Sequence, residues 1–245
     1  MGVLINGINT KTQGFALKGR PSIPSANKKI ENIEVEGRDG SLTRFLGYED
    51  LQFSLTFNIL FQKDIKQKLR EIKGVIANAT KLSFDDSPTF FYKIKQAQIS
   101  DTETVIKSSG IFSVDFVAEP FEFEQSSTTT YTSSATIVNK TTATALPIIK
   151  IFGTGTVILK VNNIGITLTN LTTNIVLDST IQEAYTGLTT NMNQNMNGEF
   201  PIFNIGSNTI NWTGNVTKIE ITNNWRWLTW LTYLKKMQQI LKAMA

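Results

Sequence analysis

The sequence contains no cysteine and no histidine. The first absence removes disulfides, thiolate nucleophiles and cysteine-bearing zinc sites. The second removes every imidazole base, so neither a Ser-His-Asp triad nor a Cys-His pair can be built from this chain. Carboxylate catalysis, Ser/Lys chemistry and hard-cation binding by oxygen ligands remain open, and the balance shifts toward a structural or binding protein. Long apolar runs are missing as well, none approaching the ~20 residues that a spanning helix requires. The first seven residues lack the basic segment and apolar core of a secretory signal, so synthesis in a cytoplasm is expected. On that expectation the sequons Asn139-Lys140-Thr141 and Asn215-Val216-Thr217 are products of a Thr- and Asn-rich composition rather than glycan acceptors.

The 245 residues, 40% hydrophobic and 18% charged, suit one large globular domain or two ordinary ones. A formal net charge of +4 invites a nucleic-acid reading, but the charges are unevenly placed. Residues 1–125 carry 16 basic and 16 acidic side chains, 126–225 carry 4 and 4, and the last twenty carry 4 basic and none acidic. A duplex-binding domain gains affinity by displacing counterions with Lys and Arg spread over its own surface. Neither main segment offers that excess.

Leu51, Phe53, Leu55, Phe57 and Ile59 alternate with polar residues, the period of two that marks a half-buried strand. Ile65, Leu69, Ile72 and Ile76 then recur at helical spacing with charged residues between them, predicting an amphipathic helix of about four turns. Residues 92–98 and 112–116 return to strand periodicity, which Phe121-Glu122-Phe123-Glu124 extends. At 126–134 the composition turns to Ser and Thr, with little apolar surface to offset ordering entropy, and we read a linker there. Beyond it, short apolar runs (148–152, 157–161, 164–168, 175–177, 209–212, 218–222) punctuated by Gly and Asn predict a β-sandwich or jelly roll. Trp227, Trp230, Leu231, Leu234, Met237, Leu241 and Met244 share one face of a basic amphipathic terminal helix, which docks on its own protein or a neighbouring subunit or, alternatively, lies on a membrane surface. The organisation expected is therefore an N-terminal domain at 1–125, a linker at 126–134, a second domain at 135–228 and a helix at 229–245.

Candidate chemistry is thin. Gly153-Thr154-Gly155-Thr156 lacks the Gly-Lys-Ser/Thr of a phosphate loop and precedes β-branched residues, so a plain turn is expected. Asp85-Asp86, the group Glu119, Glu122 and Glu124, and Asp178 are carboxylates that could pair for glycoside hydrolysis, but turn and solvent-facing positions account for them. Trp212, Trp225, Trp227, Trp230 and Tyr185 either fill a core or stack on sugar rings as in carbohydrate-binding modules, with Trp212 and Trp227 the residues for stacking. No cofactor, metal or catalytic residue is expected.

Several spacings together resemble the distal tail proteins of long-tailed, non-contractile phages and prophages of Gram-positive bacteria. In the second half Pro147-x-Ile149-x-Ile151-x-Gly153-x-Gly155 is followed by Leu177-Asp178-Ser179, Tyr185 and Met196-x-Gly198-Glu199-Phe200-Pro201. Then come Gly206-x-Asn208-x-Ile210-x-Trp212 and Trp225-Arg226-Trp227. In the first half the resemblance rests on Val35-Glu36-Gly37-Arg38-Asp39-Gly40, then a long alternating strand and a helix. Gly37 and Asp39-Gly40 suit a tight turn needing positive φ, and Arg38 can reach a carboxylate or carbonyl on a neighbour. Ile205 stands where the family pattern has proline, and the segment after Leu228 is longer than that pattern.

The resemblance implies a mainly β protein. Its N-terminal domain is a barrel- or sandwich-like β fold with one amphipathic helix, and its C-terminal domain a galectin- or carbohydrate-binding-module-like β-sandwich followed by the terminal helix. It further implies a non-enzymatic homo-hexameric ring at the distal end of a virion tail. Such a ring contacts the tail tube protein on one face, a tip or tail-associated lysin protein on the other, and receptor-binding or baseplate proteins outside, while DNA passes the lumen unbound. No membrane partner is expected. The interface residues it points to are Gly37, Arg38, Asp39, Trp230, Leu234, Met237 and Leu241. A carbohydrate-binding module or adhesin for cell-wall glycans is the alternative.

Overall fold

The computed structural model describes residues 2–19, 21–60, 64–100, 110–188 and 190–228. They form two compact units, one within residues 2–123 together with Leu228 and one of residues Glu124–Trp227. The terminal helix expected at 229–245 lies outside the described residues, and so do Trp230, Leu234, Met237 and Leu241.

The first unit begins with β1 (Val3–Ile5), β2 (Ile8–Asn9) and β3 (Phe15–Leu17). A hairpin of β4 (Lys28–Ile33) and β5 (Leu42–Tyr48) follows, then β6 (Leu51–Ile59), helix α1 (Ile65–Ala77), β7 (Lys81–Phe84), β8 (Ser87–Ile99) and β9 (Ile111–Glu124). The main sheet has the order β2-β1-β7-β8-β9-β6-β3, and β4-β5 is a separate two-stranded sheet. The period-two reading of residues 51–59 matches β6 end to end, with alternate side chains buried. Phe53 and Phe57 of β6 lie directly opposite Phe116 and Phe112 of β9, so their rings share the inner face and stack at 5.5 and 5.4 Å. Phe15 from β3 closes the cluster edge-on, 5.3 Å from the Phe57 ring.

Helix α1 buries Leu69, Ile72 and Ile76, the face its spacing predicts. Asp64 caps it, its carboxylate accepting the Gln67 N–H at 3.0 Å. Asp64→Ala leaves that donor without its partner and is expected to cost about 1 kcal/mol in urea unfolding, with the midpoint lowered and the slope unchanged. Lys68 donates to Glu71 at 2.7 Å and holds that exposed carboxyl below its usual range. Asn6-Gly7 connects β1 to β2 with φ of 51° and 82°, the pair of left-handed residues a two-residue hairpin needs. The Asn6 side chain accepts the N–H groups of Thr80 and Lys81 at 2.9 and 3.0 Å and donates to Asn78 O at 2.7 Å, fastening the end of α1 to that turn.

The second unit contains β10 (Thr128–Tyr131), β11 (Ala135–Asn139), β12 (Ile148–Val161), β13 (Ile164–Leu171), β14 (Asn174–Asp178), β15 (Glu183–Thr186), β16 (Thr190–Asn191), β17 (Met196–Asn197) and β18 (Gly206–Thr222). Its main path runs β10-β18-β12-β14-β15-β16, with β11 on β18 and β13 joining β12 to β17. The stretch read as a linker is not irregular throughout, since Thr128–Tyr131 pair with Ile219–Thr222. Its hydroxyl residues bring little apolar area, yet β-branched Thr suits a strand and β18 supplies the backbone partners.

Two further expectations are corrected here. The runs 148–152 and 157–161 are one strand, as are 209–212 and 218–222, and the four residues Gly153–Thr156 expected to form a turn lie inside β12. Register breaks at Phe152/Gly153 and between Thr154 and Ile158 mark bulges, which bend a strand without ending it. Glycine is required there because the β12 and β18 backbones nearly touch. A Cβ on Gly214, whose φ is +103°, would stand 2.5 Å from Thr156 O, and one on Gly153 would collide with Asn215 O.

The motif residues of this unit form a scaffold. Buried Ser179 accepts at neither proline: its N–H donates to Pro147 O at 3.2 Å and its hydroxyl to Pro201 O at 2.7 Å. Fully buried Asn208 donates to Asn204 O and Gly206 O at 2.8 and 3.0 Å, and accepts from Asn204 N and Asn162 Nδ2, both at 2.7 Å. Asp178 accepts the Thr180 N–H at 2.9 Å, a turn role rather than a catalytic one.

Candidate functional site

In the first unit the β4-β5 hairpin stands out. Every residue from 27 to 46 is exposed, although the segment contains Ile30, Ile33, Val35, Leu42, Phe45 and Leu46. Ile30 faces Phe45 across the strands and Ile33 faces Leu42. Because successive strand positions point to opposite sides, the two apolar pairs lie on opposite faces. A lone two-stranded hairpin is marginal in water, and scattered charge such as the exposed Arg44–Glu31 pair at 3.9 Å adds little. Gly37, Arg38 and Asp39 sit at the hairpin tip, with Gly37 at φ 78° and Gly40 at 73°. No side chain crowds either glycine, so the left-handed backbone alone selects them.

The carboxylates singled out in the sequence fall in three places: Asp85 and Asp86 between β7 and β8, Glu119, Glu122 and Glu124 along β9, and Asp178 at the end of β14. Asp85-Asp86 form the connection between β7 and β8, where Phe84 pairs with Ser87. Glu122 faces Tyr92, whose phenol is pushed well above its ordinary value, first by burial and then by that carboxylate. Asn139 of the first sequon is buried and bonded to Thr141 and Ala143, a structural turn.

In the second unit the aromatics separate. Trp212 packs partly buried against the core of Ile149, Leu159, Ile210 and their neighbours, and Trp225 lies 5.9 Å from the Phe203 ring. Trp227 is half-buried in β19 (Arg226–Leu228). Tyr185 borders an open cavity of about 540 Å³ on the sheet face opposite that core. Pairing register sets its lining: Glu220, Lys150, Val176, Tyr185 and Asn191 are successive cross-strand neighbours on β18, β12, β14, β15 and β16. Sequence reasoning missed this row, because its members fall on five strands and no spacing along the chain links them. Tyr185 was the one visible member. Its phenol is held above the ordinary value by burial first, then by Asp178 and Glu183, so it stays protonated and able to donate.

No sequence-family model and no curated protein sequence matches the chain. Among solved structures, the Dit protein (gp 19.1) of phage SPP1, described as a paradigm of the hub adsorption apparatus in phages infecting Gram-positive bacteria, aligns over 90% of this chain and 98% of its own with a TM-score of 0.62 at 12% identity. The chain has the Dit fold. The baseplate of phage p2 in its activated conformation, with Sr or with Ca, aligns at a TM-score of 0.48 and 10% identity over 88% of this chain and 91% of that one. The Dit fold spans both units, and at so low an identity it is the architecture that is shared rather than particular side chains.

Proposed function

We propose that the protein is a distal tail protein, a non-enzymatic component of a phage tail tip. Six copies form a ring that joins the tail tube to the tip or lysin protein and carries receptor-binding or baseplate proteins outside, with DNA passing through the lumen. The Dit fold supports the setting, and the exposed β4-β5 hairpin carries the assembly reading. An apolar pair on each of its faces gains stability only when covered from both sides, as happens when a hairpin reaches a neighbouring copy in a closed heterologous ring. Gly37, Arg38 and Asp39 at its tip are assigned to the contact. Trp230, Leu234, Met237 and Leu241 are assigned to assembly interfaces from their sequence pattern alone. The first 125 residues balance 16 basic against 16 acidic side chains, compatible with a lumen that does not trap DNA. The test is the mass of the purified chain by light scattering after size exclusion, with negative-stain imaging. A discrete hexamer with a central hole is expected, and a strict monomer at high concentration would count against self-assembly of the ring.

A further inference from the structure

We propose that the open face of the second unit is a carbohydrate site that takes a neutral oligosaccharide laid across β18, β12, β14, β15 and β16, with the Tyr185 ring as its stacking platform. The row Glu220, Lys150, Val176, Tyr185, Asn191 advances by one strand spacing, ~4.8 Å, per residue. Acceptor and donor groups therefore recur at an interval a chain of hydroxyl-bearing rings can follow. Glu220 and Lys150 offer an acceptor and a donor at one end, and Asn191 offers both at the other. Val176 is the apolar floor between them, and half-buried Tyr185 is its cross-strand neighbour. Leu188, 95% exposed, and Ile181, 58% exposed, flank Tyr185 as apolar walls for the C–H faces of a sugar.

The same chemistry argues against other ligands. One lysine in the lining is outnumbered by Glu183 and Glu220, so a phosphate backbone finds no cation excess. Lys218 is already engaged with Glu220 at 2.6 Å and stands 4.4 Å over the Phe152 ring. A volume of about 540 Å³ lies in the range of small-ligand sites.

The experiment uses the full chain and a panel of neutral tetrasaccharides of glucose, galactose, N-acetylglucosamine and rhamnose, with a polyol-phosphate polymer as the anionic comparison, read by saturation-transfer NMR and calorimetry. At least one neutral oligosaccharide is expected to bind. Tyr185→Ala should weaken it by about tenfold or more, while Tyr185→Phe, which keeps the ring, and Trp212→Ala, which is on the core side, should stay within about threefold. Tryptophan fluorescence melting confirms that each variant is folded. Three results would overturn the proposal: no neutral ligand bound by folded wild type, binding that survives Tyr185→Ala combined with Glu220→Gln, or a preference for the anionic polymer. The oligomer mass measured on the same samples keeps this outcome separate from that of the ring.

Discussion

The double variant Ile33→Glu/Leu42→Lys is expected to leave the protein folded but monomeric under conditions where the parent chain forms the proposed ring. The two residues are directly opposed in the hairpin and each is 41% exposed, so neither holds the first unit's core together. Placing opposite charges at an opposed pair keeps the cross-strand attraction and preserves the hairpin, whereas two like charges would open it. What is lost is the apolar surface offered to a neighbour, and with 41% of each side chain still exposed its burial is worth roughly 0.6–1.2 kcal/mol per residue. A closed ring repeats that loss at every subunit contact, so the transition is expected to be nearly all-or-none by light scattering. The companion variant Ile30→Glu/Phe45→Lys, on the opposite face, should do the same. An unchanged hexamer in both would show that the hairpin is not the assembly element, whatever the fold.

Gly214→Ala is expected to destabilise the second unit by about 3 kcal/mol or more. Two costs combine: a φ of +103°, which L residues rarely adopt, and a Cβ 2.5 Å from the backbone oxygen of Thr156. Backbone cannot swing aside as a lysine tip can, so either β12 or β18 must shift, and together they hold the centre of the sheet. For a unit near 100 residues this corresponds to a fall in Tm of ~10 °C or more. Tryptophan fluorescence reports it, because Trp212, Trp225 and Trp227 lie in that unit and the described residues of the first unit contain no tryptophan. Gly165→Ala is the control, since its added methyl meets nothing within 4 Å. Equal melting of the two variants would refute the close-approach argument.

Much of the first unit is written locally. The alternation of residues 51–59, the helical spacing of Leu69, Ile72 and Ile76, and the strand running through Phe112 to Phe123 all appear where periodicity places them. Asn6-Gly7 carried an equally local signal, the turn pair that both residues' positive φ fulfils, and it is found from sequence once looked for. The second unit was harder because glycine is ambiguous along a chain. At Gly153 and Gly155 it permits a bulge inside one strand, not a stop, and the difference lies in a backbone partner near Asn215. Thr128–Tyr131 similarly became a strand because β18 was available to pair with it.

The absence of Cys- and His-based chemistry, the mostly β character and the inward-facing residues of each periodic segment were legible along the chain, because a side chain's face follows from its position in the strand or helix. Tertiary structure alone decided the two candidate surfaces. Ile30 and Ile33 look like core residues by composition, and only the separate β4-β5 sheet leaves them in solvent. Trp212 looks like a platform and packs against the core, while Lys150, Tyr185 and Glu220 have nothing in common until strand register sets them side by side. Register is fixed by pairing between distant segments, and the periodicity of any one segment carries no record of it.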